Sequence, residues 1–87
     1  DFYFYGCTAD RYMYWDESAD NLRFQDNVSV SVGNTNDMTL YHDGTNSYIT
    51  NAVGALKLAT ETSGIAVTIG HTTSETTVAD NLTITGN

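Results

Sequence analysis

The stretch Asp26-Asn27-Val28-Ser29-Val30-Ser31-Val32 decides the fold class. Valine and serine alternate over five positions, which in an extended chain places the valines on one face and the serines on the other. A helix of the same length would scatter both residue types around its axis. The Asp-Asn pair in front supplies the corner, because both residues tolerate a left-handed backbone and bond to their own main chain. The same order, an Asp-Asn corner before a short alternating strand, recurs at Ala19-Asp20-Asn21-Leu22-Arg23-Phe24 and at Ala79-Asp80-Asn81-Leu82-Thr83-Ile84.

Outward from this stretch, further short strands are predicted. Phe2–Tyr5 and Tyr12–Trp15 are aromatic runs with Gly6–Asp10 as a turn between them. Leu22–Phe24, Met38–Tyr41, Ser47–Ile49, Leu56–Leu58, Ala66–Ile69, Thr76–Val78 and Leu82–Thr85 complete the set, with Asp43-Gly44 as a hairpin turn. Gly, Asn and Asp punctuate them, and the absence of Pro suits uninterrupted ladders. The expected fold is all-β, a short-stranded meander or a β-solenoid-like fibre module. Residues 1–87 read as one such module with sub-repeats near 1–33, 34–59 and 60–87, and the chain reads as a fragment of something longer.

Composition limits the partners. The 87 residues carry 3 Lys+Arg against 11 Asp+Glu, a formal charge of −8, which disfavours nucleic acid and anionic membrane surfaces. No apolar run is long enough to span a bilayer. Cys7 is the single cysteine, so no intrachain disulfide can staple a thin core. With 40% hydrophobic residues the chain is no solvated tail, yet each strand offers an apolar stripe one residue wide. Strands of this kind need other copies to cover them. A homotrimer about one axis or a helical filament does so, and closure also hides the strand edges.

Several segments resemble bacteriophage tail-fibre-like proteins. Arg11–Phe24 is similar to their "YMxWDESADxLxF" segment, and Asp37–Ile49 to the "DLxIYHDGxNSYI" segment that follows it. Val67–Glu75 and Val78–Asn87 resemble the "IGHTTSExTVxDNLTVTGN" stretch leading into the fibre shafts. The sequence departs from that pattern at Asn51–Gly54, where the family carries a "DTGTG"-like turn, and at Cys7. The resemblance implies a structural segment of a tail fibre or spike, a rigid spacer that presents a host-recognition tip, located on the virion or outside the cell. A self-assembling extracellular filament is the alternative, and a carbohydrate-binding module a further one.

The chemistry-bearing residues point away from catalysis, and no enzyme and no cofactor is expected. His42 and His71 would need a threefold axis to converge on a metal, and they read instead as turn residues. Asp43-Gly44-Thr45-Asn46 lacks the terminal glutamate of a calcium loop. Asp16, Glu17 and Asp20 lie in one turn segment with no facing cleft, so they read as a solvated corner rather than paired catalytic carboxylates. His71, Ser74 and Glu75 are too close in sequence for triad geometry. Nothing basic flanks Cys7 to activate its thiol.

The aromatics are the candidate site. Because neighbours on a strand point to opposite faces, Phe2, Tyr3, Phe4, Tyr5, Tyr12, Tyr14 and Trp15 make both faces of their strands aromatic. They are expected to pack against other subunits or to stack on the glycan of a host surface. Asn27 and Asn81 begin N-glycosylation sequons, usable if the protein is secreted.

Overall fold

The structure is a computed structural model, and it describes residues 1–86. Six strands form two antiparallel three-stranded sheets, and the described residues contain no helix. The first sheet pairs β1 (Phe2–Tyr5), β2 (Tyr12–Asp16) and β3 (Asn21–Phe24) in that order. The second pairs β4 (Val30–Val32), β5 (Met38–His42) and β6 (Ser47–Asn51) likewise. Each strand pairs with its neighbour in sequence, so of the two expected architectures the meander is the one formed.

Loop chemistry sets these hairpins. Gly6 closes the first: its N–H donates to the Arg11 carbonyl at 2.7 Å, and a Cβ there would sit 2.9 Å from that oxygen. Asp10, at φ 65°, turns the chain back. At the β2–β3 tip, Asp16 Oδ1 accepts from Ser18 Oγ at 2.8 Å and from the Ala19 N–H at 3.3 Å. Asp43 repeats the device at the β5–β6 tip, where Oδ1 accepts from the Thr45 and Asn46 N–H groups at 2.8 and 2.7 Å. A carboxylate at a strand end that gathers turn N–H groups fixes the loop locally. Between the sheets the chain turns at Gln25–Val28, and the Asn27 N–H donates to the His42 carbonyl at 2.7 Å.

The corners differ in backbone, which corrects the reading of three equivalent copies. At Asp20-Asn21 the aspartate is left-handed, with φ 55°, and at Asp26-Asn27 it is the asparagine, with φ 62°. Neither Asp80 nor Asn81 has a positive φ. The first corner ends a four-residue hairpin loop and the second sits inside a turn, so one sequence pattern serves two geometries. Val28 also lies before β4 rather than in it, its N–H donating to the Gln25 carbonyl at 3.1 Å.

The chain divides into two units, Asp1–Leu56 and the residues from Lys57 on. No strand follows Asn51 among the described residues, so the strands expected at Leu56–Leu58, Ala66–Ile69, Thr76–Val78 and Leu82–Thr85 are not formed. The turns are nevertheless at the expected places: Gly64 and Gly70 have φ 79° and 88°, and the Ser74 N–H donates to the His71 carbonyl at 3.0 Å. A strand exists only when a neighbour accepts its ladder bonds, and within one chain these segments have none.

Side-chain burial is thin throughout. None of the described side chains is buried, and the most sheltered, among them Tyr12, Met13, Tyr14, Phe24, Val28, Met38, Thr39 and Tyr41, are half-buried.

Candidate functional site

Register resolves the aromatic residues into two faces, because directly paired residues share one side of a sheet. In the first sheet, Phe2, Trp15 and Leu22 form one cross-strand row and Phe4, Met13 and Phe24 the next. That face is wholly apolar. The opposite face carries Tyr3, Tyr14 and Arg23 in one row and Tyr5 and Tyr12 in another, with the Asp16–Asn21 pair at its end. The seven aromatics singled out from the sequence therefore do not form one surface: Phe2, Phe4 and Trp15 belong to the first face and the four tyrosines to the second.

The tyrosine face is an ordered network. Tyr3 and Tyr14 are parallel at 5.0 Å between centroids, and Tyr3 and Tyr5 at 5.8 Å. Tyr12 tilts by about half a right angle against Tyr3, Tyr5 and Tyr14 at 5.6–5.8 Å. The Arg23 guanidinium lies 5.6 Å from the Tyr14 centroid, and its Nη1 donates to Tyr14 Oη at 2.9 Å. Its Nη2 is 3.6 Å from Asp16 Oδ2. Gln25 Nε2 donates to Tyr12 Oη at 3.0 Å. The Ser18 hydroxyl holds the Asp16 carboxyl below its ordinary value, with the Ala19 N–H and the Arg23 charge adding to the effect.

The second sheet has the same two-sided design. Val30, Leu40 and Ile49 form one row and Val32 and Met38 lie on the same side, with Asn51 and the His42–Ser47 pair at its ends. Ser31, Thr39, Thr50, Tyr41 and Tyr48 make the other face. The Thr39 and Thr50 hydroxyls bond each other, and the Tyr41 and Tyr48 rings stack at 4.9 Å. Tyr48 Oη donates to Asp43 Oδ2 at 3.0 Å. The Asn46 and Thr45 N–H groups and this hydroxyl hold the Asp43 carboxyl below its ordinary value.

An open cleft of about 490 Å³ lies at the Phe4–Met13 end of the first sheet, bounded by Gly6, Arg11 and Val28 and lined also by Tyr5 and Tyr12. Arg11 is half-buried there.

The remaining candidates are dispersed. His42 sits at the end of β5 with Nδ1 2.8 Å from Ser47 Oγ, while the His71 ring bonds within its own turn to Thr73. Asp43–Asn46 is a hairpin tip, as expected, and Asp16, Glu17 and Asp20 form the β2–β3 tip, with the Glu17 N–H donating to Asp1 Oδ1 at 3.0 Å. No group of three or more His, Cys, Asp or Glu side chains is placed to hold a metal ion among the described residues. Cys7 is an exposed free thiol. Asn27 and Asn81 are both exposed, Asn27 in a left-handed turn. No helix among the described residues is long and apolar enough to cross a membrane. Sequence reasoning missed Met13, Leu22 and Phe24 as members of the aromatic surface and Arg23 and Gln25 as partners of the tyrosines; strand pairing alone brings them in.

Searches against family models, curated proteins and solved structures find no match to this chain.

Proposed function

We propose that this protein is a structural β-module that completes its core by assembling with other copies, as a segment of a phage tail fibre or spike. One observation carries the reading. Each sheet has an apolar face, yet none of the described side chains is buried. On the two apolar faces Phe2, Phe4, Trp15, Leu22, Val30, Val32, Leu40 and Ile49 are each more than a third exposed. Apolar area is costly to leave in water, at roughly 25 cal/mol per Å². The unpaired alternating segments after Asn51, such as Ile65-Ala66-Val67-Thr68-Ile69, add strands that await a neighbour's ladder. In this role the protein acts mechanically, as a stiff spacer on a virion or another extracellular structure, and performs no catalysis.

The tyrosine face bears on the carbohydrate alternative. The rings of Tyr3 and Tyr14 face each other, and Tyr14 also lies under Arg23, so ring surface that a sugar would stack on is engaged within the sheet. Assembly therefore accounts for more of the surface than glycan binding does.

Sedimentation of the 87-residue chain over a dilution series tests the proposal. The expected result is an oligomer whose thermal midpoint rises with protomer concentration. A chain that stays monomeric and folds independently of concentration refutes it. Electron microscopy then separates the two assemblies: threefold rods of fixed length fit a fibre segment, and an indefinite helical polymer fits the filament alternative.

A further inference from the structure

Resting on that reading, we infer that the apolar face of the first sheet, built by Phe2, Phe4, Met13, Trp15, Leu22 and Phe24, is the surface that receives the same face of another copy. The tyrosine face, by contrast, stays outward.

Three observations select this face and this occupant. The first is charge. The chain carries −8, so copies repel at long range, yet none of the six strand residues on this face is charged. Asp16 and Arg23 both belong to the other side. The second is area. Phe2 is 75% exposed, Phe4 60%, Leu22 50% and Trp15 43%. At about 150–250 Å² for an aromatic side chain, these four leave roughly 450 Å² uncovered. That is about half of what one partner contributes to a standard interface, roughly 800 Å². The apolar face of the second sheet offers a further patch of the same kind. The third is shape. One end of the face is bulky, with the row Phe2–Trp15–Leu22, and the other gives onto the open 490 Å³ cleft, lined by Phe4, Met13 and Arg11 and at its rim by Tyr5 and Tyr12. The bulky end of one copy meets the cleft end of the next, and the indole of Trp15 comes to lie against a guanidinium, a favourable cation–π contact. On the tyrosine face Tyr12 and Tyr14 already bond Gln25 and Arg23, and the exposed rings there, Tyr5 at 75% and Tyr3 at 45%, carry a hydroxyl that water can satisfy.

Trp15 is the only tryptophan and therefore reports on this surface directly. In the wild-type oligomer its emission should shift to the blue and resist acrylamide quenching, and both effects should vanish on dilution to the monomer. Phe4→Asp and Tyr3→Asp place the same charge on adjacent residues of β1, on opposite faces, and Tyr3 does not line the cleft. Phe4→Asp is expected to abolish the oligomer, and Tyr3→Asp to leave it at the wild-type mass. An oligomer whose Trp15 is quenched as freely as the monomer's overturns this inference while leaving the proposed function standing. So does an oligomer that survives Phe4→Asp. A chain that is monomeric at every concentration removes the proposed function as well.

Discussion

Replacing Gly33 by alanine should destabilise the second sheet far more than the same change at Gly54. Both glycines have positive φ, 99° and 78°, so an added Cβ meets backbone strain at either position. Such strain costs about 1 kcal/mol or somewhat more. Their surroundings differ. At Gly54 a Cβ would find nothing within 4 Å, whereas at Gly33 it would run into the Asp37 carboxylate. Asp37 must then swing away, which breaks the bond from Thr35 Oγ1 to Asp37 Oδ1 at 2.7 Å. It also disturbs the residue whose carbonyl accepts the Ala52 N–H at 2.8 Å. A lost hydrogen bond adds about 1 kcal/mol, so Gly33→Ala totals about 2–3 kcal/mol and Gly54→Ala about 1 kcal/mol. For a unit of this size each kcal/mol moves the midpoint by about 4–8 °C, which separates the variants by roughly 5–15 °C.

The assay is thermal unfolding followed by the near-ultraviolet dichroism of the stacked tyrosines, at one fixed protomer concentration because the proposed assembly would shift the midpoint. A cycle with Asp37→Ala isolates the cause. Removing the carboxyl group takes away two of the three overlaps and leaves only the Cβ contact at 2.9 Å, so Gly33→Ala should cost less in the Asp37→Ala background than in the wild type. Equal midpoints for Gly33→Ala and Gly54→Ala would refute the reasoning. So would a cycle with no coupling.

Other consequences can be checked on the same protein. Asp43 and Asp16 ionise below the ordinary carboxylate value in the folded chain, so their contribution to stability is fully present above that value and is lost as pH falls through each lowered one. Acid unfolding should steepen there, and Asp43→Asn should flatten it, as read by dichroism against pH. The parallel Tyr3–Tyr14 pair predicts a coupling of about 0.5–1.5 kcal/mol in a double-mutant cycle to alanine, with none between Tyr3 and Tyr48. Asn27→Val forces a branched residue to φ 62° and should cost about 1–2 kcal/mol, while Asn27→Gly should be close to neutral by urea titration.

The strands up to Asn51 were legible because each combines period-2 patterning with a turn that only Gly, Asn or Asp suits. Phe2–Tyr5 is formed with the bounds expected, and β2, β5 and β6 extend theirs by one or two residues. Local pattern does not say whether a strand finds a partner, and for that reason Leu82–Thr85 reads as a strand but forms none within the chain. The aromatic runs were visible as two-faced, yet the division into an apolar and a hydroxylated side needed the register. Trp15 and Tyr14 are adjacent in sequence, and only their pairing with Leu22 and Arg23 shows how different their surroundings are. The acidic corner at Asp16–Asp20 was read as solvated; its capping geometry depends on a Ser18 rotamer that no pattern encodes.

The meander order of both sheets also bears on how the protein comes to be made. Every ladder joins consecutive strands, so the chain closes only short loops, a search completed in microseconds for a hairpin. Tips that fasten themselves through Asp16 and Asp43 set the register before any distant residue is involved. On the proposed reading, each chain would align these strands locally as it is made. Encounter between copies, a step whose rate depends on their concentration, would then govern how fast the proposed assembly appears.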